Sequence, residues 1–182
     1  MTMQKLTYYV ASTLDGFIAR EDGSFSDFPL DEELITDFFA TIETFGTVLM
    51  GRKTYDVGLQ AGKTSPYPSL RQIVFSQSME ESPDPAVELV REGALDRIRA
   101  LKAEDGAGIW LCGGGHLATQ CLEAGLIDEL ILKLNPIIFG RGIPLFDKSV
   151  NVGTLELTAS KTYASGIVQM HYKILRSRTD PE

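Results

Sequence analysis

Short, nearly continuous apolar runs alternate along this chain with stretches in which apolar residues recur every three or four positions. The runs Leu6-Thr7-Tyr8-Tyr9-Val10-Ala11, Thr47-Val48-Leu49-Met50, Arg71-Gln72-Ile73-Val74-Phe75-Ser76, Ile109-Trp110-Leu111-Cys112 and Leu130-Ile131-Leu132-Lys133-Leu134-Asn135 have the length and composition of buried strands. Val87-Glu88-Leu89 is a further short candidate. Between them, Leu34, Ile35, Phe38, Phe39 and Ile42 keep helical spacing. They follow Asp31, Glu32 and Glu33, acids suited to a first turn, and predict a helix that ends near Phe45-Gly46. A second helix opens at Gly51-Arg52-Lys53-Thr54-Tyr55, and Leu95, Ile98 and Leu101 mark a third. Gly113-Gly114-Gly115 opens a fourth over residues 117–124.

Residues 20–29 carry Gly23, Pro29 and three acids and read as a loop, as does the stretch with Gly62, Pro66 and Pro68. Gly140 and Gly142 punctuate another loop before Pro144-Leu145-Phe146. Residues 155–163 and 167–175 read as two strands joined at Ala164-Ser165-Gly166. Strands alternating with helices and ending in a hairpin predict an α/β fold, a three-layer αβα domain. Its sheet is mixed, mostly parallel with an antiparallel C-terminal hairpin. No repeat or linker interrupts the pattern, so one domain over residues 1–182 is expected, with 176–182 frayed.

Composition narrows the function. A net charge of −8 argues against general affinity for nucleic acid or anionic membrane, so a small molecule is the expected partner. No apolar run is long enough to span a bilayer, and Cys112 and Cys121 are too sparse for a disulfide framework. A cytoplasmic location follows as the expectation.

In a chain this acidic, the strand-to-helix turns stand out. At Cys112-Gly113-Gly114-Gly115-His116 the glycines allow close backbone approach, and the helix start offers free amides to phosphate oxygens. The spacing also fits G-x-G-x-x-A, but the next strand ends at Asn135-Pro136 without the acid that a Rossmann ribose site requires. The second turn, Gly51-Arg52-Lys53-Thr54, gathers two cations and a hydroxyl at a helix start. Acids are the favoured residues there, which points to a phosphate ligand. The third, Ser12-Thr13-Leu14-Asp15-Gly16, ends the first strand, as either a ligand site or a plain turn. His116 and His171 have no ligand-like companions, and no metal is expected. His171 reads as a strand residue facing solvent or a partner. Cys112 has no base beside it and reads as a small hydrophobe. Phe38 and Phe39 read as core, with one ring able to line a substrate pocket.

Taken in order, Ser12-Thr13-Leu14-Asp15-Gly16-Phe17-Ile18-Ala19, Val48-Leu49-Met50-Gly51-Arg52-Lys53-Thr54-Tyr55 and Gly113-Gly114-Gly115-His116-Leu117 resemble the dihydrofolate-reductase superfamily. The branch is the C-terminal reductase domain of bacterial bifunctional deaminase-reductases of riboflavin biosynthesis, together with its stand-alone relatives. Residues 124–130 and 136–146 extend the resemblance over nearly the whole chain.

The resemblance implies NADPH lying across the strand ends. Gly51, Arg52, Lys53 and Thr54 would hold its phosphates, with Ser76 and Gln77 near the adenosine end. Cys112, Gly113, Gly114, Gly115, His116 and Leu117 would pack on the pyrophosphate side, and Val10, Ala11 and Ile18 would border the nicotinamide. Asp15 would be the polar catalytic group near the substrate, and residues 20–29 would cover the site. Leu34 or Ile35 stands where dihydrofolate reductases carry a substrate-gripping carboxylate, and Cys112 stands where the riboflavin branch commonly has an acid. The implied activity is NADPH-dependent hydride transfer to a small conjugated heterocycle, pterin- or pyrimidine-like, in a homodimer. The alternatives are a non-catalytic NADP(H)-binding module, a 5-amino-6-ribosylamino-pyrimidine reductase, or a purely structural oligomer.

Overall fold

A computed structural model describes residues 3–147 and 153–175, so the tail expected to fray lies outside the described residues. The strands are β1 (Leu6–Thr13), β2 (Phe17–Ala19), β3 (Thr47–Gly51), β4 (Arg71–Phe75), β5 (Val87–Val90), β6 (Ile109–Gly113), β7 (Glu129–Asn135), β8 (Ile143–Pro144), β9 (Thr154–Thr162) and β10 (Val168–Leu175). The helices are α1 (Glu32–Ile42), α2 (Arg52–Gln60), α3 (Ala94–Ala103) and α4 (Gly115–Glu123). Eight strands form one sheet in the order β5-β4-β3-β6-β1-β7-β10-β9. Neighbours from β5 to β7 run parallel, and β10 and β9 complete the sheet antiparallel. The predicted mixed α/β sheet with its C-terminal hairpin is what forms.

The interior strands are apolar on both sides because helices cover both faces. On one face, Leu6, Tyr8, Val10, Leu49, Ile73, Ile109, Leu111 and Leu130 pack with Ile98 and Leu101 of α3 and Leu117, Ala118 and Cys121 of α4. On the other, Tyr9, Val48, Met50, Val74, Trp110 and Ile131 pack with Ile42 of α1 and Tyr55 of α2. Adjacent residues Tyr8 and Tyr9 thus serve opposite cores, as the period of two requires. Each fully buried large side chain of this kind contributes about 1.5–3 kcal/mol of transfer free energy. No helix among the described residues is long and apolar enough to cross a membrane.

Three local departures from expectation have physical causes. Helix α1 ends at Ile42 rather than near Phe45. The Thr44 hydroxyl bonds the Thr41 carbonyl at 2.6 Å and the Glu43 amide turns back to Phe39, so the chain tightens before Gly46 docks on the Gly108 carbonyl. Helix α4 starts two residues earlier than expected, at Gly115. Strands β2 and β8 form a second small antiparallel sheet, paired through Phe17 with Pro144 and Ala19 with Ile143.

Candidate active site at the carboxyl edge of the sheet

Helix α1 begins conventionally: the Asp31 side chain accepts the Leu34 amide at 3.0 Å, and Glu32 and Glu33 occupy the first turn. Helices α2 and α4 begin differently. Their N-caps are Gly51 and Gly114, neither has a side-chain cap, and neither has an acid in its first turn. The first-turn amides of both therefore point outward without intrahelical acceptors. The helices cover opposite faces of the sheet, yet their starts meet at its carboxyl edge, because β3 and β6 are neighbours. A Cβ on Gly51 would sit 3.4 Å from the Gly114 amide nitrogen, and one on Gly113 would sit 3.4 Å from Thr54 Oγ1. Gly113 has φ +143°, a region that side chains rarely allow. The Gly113–Gly114 peptide is cis. A Cβ on Gly115 would collide with the Pro144 carbonyl oxygen, so that glycine lets β8 close against α4.

The cations beside this junction are arranged unequally. Arg52 is held along its own helix by Asp56 at 2.8 Å, while Lys53 is exposed and has no ion-pair partner among the described residues. His116 is also exposed, bonded to Asp147 at 2.7 Å. Leu117 is buried in the core beneath α4, which leaves only its backbone amide to face a ligand. Val10 and Ile18 pack on that same core, whereas Ala11 lies on the opposite face of β1, partly open. The Ser76 hydroxyl is engaged locally, accepting the Met79 amide at 3.2 Å, and Gln77 is exposed.

Asp15 ends β1 as a brace. Its carboxylate accepts Thr13 Oγ1 at 2.6 Å and the amides of Phe139 and Gly140 at 3.1 and 2.7 Å. The Thr13 hydroxyl, and then the two amides, hold this carboxyl below the ordinary carboxylate range. With both oxygens occupied, Asp15 fixes the loop after β7 against the turn after β1. The 20–29 segment leans on the same loop, with the Arg20 guanidinium 4.1 Å from the Phe139 ring and Phe28 5.5 Å from it.

Next to the junction, on the α1–α2 face, lies an aromatic cluster of which the sequence singled out only Phe38. Trp110 and Tyr9 are its buried floor. Trp110 donates Nε1–H to the Tyr9 carbonyl, and Tyr67 and Phe38 meet it edge-on at 4.7 and 5.8 Å. Ala11, Phe38, Tyr67, Cys112 and Lys133 are the half-exposed walls. The Tyr9 hydroxyl donates to Gln169 Oε1 at 3.0 Å. Lys133 pairs in register with Ala11 on one side and Gln169 on the other, so its side chain rises on this face. Its Nζ stands 4.4 Å from the Phe38 centroid and 4.9 Å from that of Tyr9. Burial lowers the Lys133 ammonium to about 8 and raises the Cys112 thiol to about 11, so the thiol is neutral and no nucleophile at neutral pH. The signal for Lys133 was available: a lone cation inside an apolar run has no solvated face on an interior strand.

The RibD C-terminal domain profile matches residues 4–169. The chain belongs to that family. Bacillus subtilis (strain 168) YwjB is 36% identical over 175 residues, covering 93% of this chain and 97% of that one. A "Putative riboflavin biosynthesis protein" from Shewanella sp. PV-4 superposes with a TM-score of 0.82 at 29% identity, covering 94% of this chain and 99% of that chain. Dihydrofolate reductase from Enterococcus faecalis, in complex with NADP(H), shares the fold at 19% identity with a TM-score of 0.70, covering 97% of this chain and all of that one.

In this RibD C-terminal domain a cavity of about 420 Å³ lies at the opposite, amino edge of the sheet, lined in part by Lys5, Asp128, Glu129 and Lys173. Apart from the exposed Lys173, its charges are answered: Lys5 meets Glu129 at 2.5 Å, and Asp128 holds Lys102 and accepts the Leu6 amide. Most polar groups there bind the fold together, whereas the two uncapped helix starts lie at the carboxyl edge.

Proposed function

We propose that this RibD C-terminal domain is an NADPH-dependent reductase of a small, flat, conjugated acceptor. The observation that carries the reading is the meeting of two helix starts that lack both caps and acids. This arrangement leaves two sets of amides for one extended, phosphate-bearing ligand. The fit of the cofactor rests on the chain's own groups. The backbone at Arg52, Lys53 and Thr54 and at Gly115, His116 and Leu117 would hold the phosphates, and the unpaired Lys53 would add charge. When bound, NADPH supplies the hydride; the protein supplies position and a shielded cleft. Phe38, Trp110 and Tyr67 exclude water from the face next to Gly113, and Asp15 keeps the covering loops in place. The dihydrofolate reductase fold neighbour named as an NADP(H) complex supports a nicotinamide cofactor on this fold.

A pyrimidine-like acceptor suits the cleft better than a pterin. Leu34 packs with Tyr163 and Ile167, Ile35 faces solvent, and the Asp37 carboxylate is held by Lys161 and Tyr163. Glu33 also meets Lys161, Glu32 is exposed in the first turn, and neither Leu34 nor Ile35 is replaced by a free carboxylate that would grip a cationic ring. The riboflavin-biosynthesis name of the Shewanella relative agrees with this preference.

Trp110, the only tryptophan, allows a direct test by energy transfer to bound NADPH. Saturable binding in the micromolar range is expected. Absence of binding below millimolar NADPH overturns the proposal, and binding without turnover of any pyrimidine, pterin or quinone favours a non-catalytic module.

A further inference from the structure

Seventeen lysines and arginines are set against 25 acids in this chain, and the buried or partly buried cations in general find a carboxylate. Arg20 meets Asp27, Arg52 meets Asp56, Arg97 meets Glu88, and buried Lys102 meets Asp128. Lys53, Lys63, Arg91 and Lys173 have no carboxylate partner, but all four are exposed. Among the described residues, Lys133 alone is a partly buried cation whose side chain has neither an ion-pair nor a hydrogen-bond partner. Nothing on the elements around it supplies a counter-charge. Tyr9 on β1 and Tyr67 are phenols that burial keeps protonated, and Cys112 on β6 is a neutral thiol. On β10, Gln169 is bonded to Tyr9 and His171, and burial holds His171 below its ordinary value toward the neutral form. On α1, Asp37 belongs to Lys161 and Tyr163.

A cation kept from water is costly unless something answers it, and two ring faces answer only part. Two-sided register pins Lys133 between Ala11 and Gln169, so its side chain leaves β7 on the same face as Tyr9 and Phe38. We propose that Lys133 is the specificity-determining residue of the cleft, and that its ammonium binds the anionic oxygen of a planar heterocycle lying against Phe38. The ligand class is thus a flat ring bearing a carboxylate or enolate-type oxygen, and cationic diamino rings are rejected. This deepens the proposed reductase reading by naming its acceptor class, but the binding itself needs no cofactor and no covalent step.

Orotate, a planar pyrimidine carboxylate, and 2,4-diaminopyrimidine, its cationic counterpart, are the probes. Each is titrated calorimetrically into the wild-type chain, Lys133→Met and Lys133→Arg, with urea midpoints measured in parallel to confirm folding. Orotate is expected to bind the wild type more tightly than diaminopyrimidine does. It should bind Lys133→Met about tenfold or more weakly, and Lys133→Arg in between. Wild-type orotate affinity should fall as pH rises through about 8, and that of Lys133→Arg should not. Equal orotate binding by wild type and Lys133→Met overturns the inference, as does tighter binding of diaminopyrimidine, or no orotate binding at millimolar concentration. A separate NADPH titration keeps the two readings apart: Lys133-dependent orotate binding without NADPH binding sinks the reductase reading and leaves this one standing.

Discussion

Placing one methyl group at Gly114 separates a ligand cradle from a structural turn. Gly114 has φ −98° and ψ −172°, which alanine adopts freely, and its Cβ would meet only Thr54 Oγ1, at 3.7 Å. The fold therefore loses little in Gly114→Ala: alanine is a poorer N-cap than glycine, at a cost of about 0.5–1 kcal/mol. Binding loses more. The methyl occupies the gap between the two helix starts and holds a phosphate off the amides. A hydrogen bond to a charged group is worth about 1.5–3 kcal/mol, so losing one weakens NADPH binding by about 10- to 100-fold. Gly115→Ala reverses the balance. Its Cβ collides with the Pro144 carbonyl, and the overpacking should cost about 1–3 kcal/mol of stability. Gly46→Ala, whose Cβ would meet nothing nearer than 3.6 Å, serves as a control with little effect on either quantity. Urea unfolding followed by Trp110 fluorescence gives stability, and NADPH titration of the same samples gives affinity. Wild-type affinity in a folded Gly114→Ala refutes the placement of the phosphates. A Gly114→Ala stability loss as large as that of Gly115→Ala refutes the packing argument.

Lys102 is 5% exposed and bonds the Leu126 carbonyl at 2.6 Å as well as Asp128, so Lys102→Met should lower the unfolding free energy by about 3 kcal/mol in urea. A loss under 1 kcal/mol shows that Asp128 finds water instead. Lys133 has its folded pKa depressed to about 8, so between pH 8 and 10 the unfolded chain binds the extra proton at this group and its contribution to stability rises with pH. The rise, on the order of 1–3 kcal/mol after allowing for partial exposure, should vanish in Lys133→Met; parallel pH curves for the two proteins contradict the assigned burial. Strand β9 is exposed along its whole length and carries Leu155 and Leu157 at the sheet edge, so a homodimer with a light-scattering mass near 40 kDa is proposed, and a mass near 20 kDa for the wild type rules it out.

The sheet was legible because its interior strands carry their burial in their own composition. Neither face of β1 is exposed, so Tyr8 and Tyr9 are both covered and the run reads as a buried strand. Strands β2 and β8 were illegible for the opposite reason. Three residues and two residues have no periodicity, and what makes them strands is a pairing across more than 120 positions. Their only local traces are Gly142, whose Cβ would strike the Ala19 carbonyl, and Gly115 on the facing helix. The end of α1 depended on Thr41 and Thr44 taking backbone carbonyls, a competition that apolar spacing does not register.

The two halves of the proposed site differ in the same way. The half proposed to hold phosphates is local: glycines and cations at a strand-to-helix turn expose its character within five residues. Only the adjacency of β3 and β6 had to come from the fold. The acceptor half is assembled from five separate segments, with Phe38 from α1, Tyr67 from a loop, Cys112 from β6, Ala11 from β1 and Lys133 from β7. No window of sequence contains it. Asp15 drew attention because its carboxylate sits in a motif, yet its oxygens face Thr13, Phe139 and Gly140. Lys133 drew none because its neighbours in sequence are leucines. A carboxylate that already has three donors has little capacity left for a ligand, whereas a shielded ammonium with none has nearly all of its own. The polar group to be read as functional is therefore the one that the fold has left unanswered.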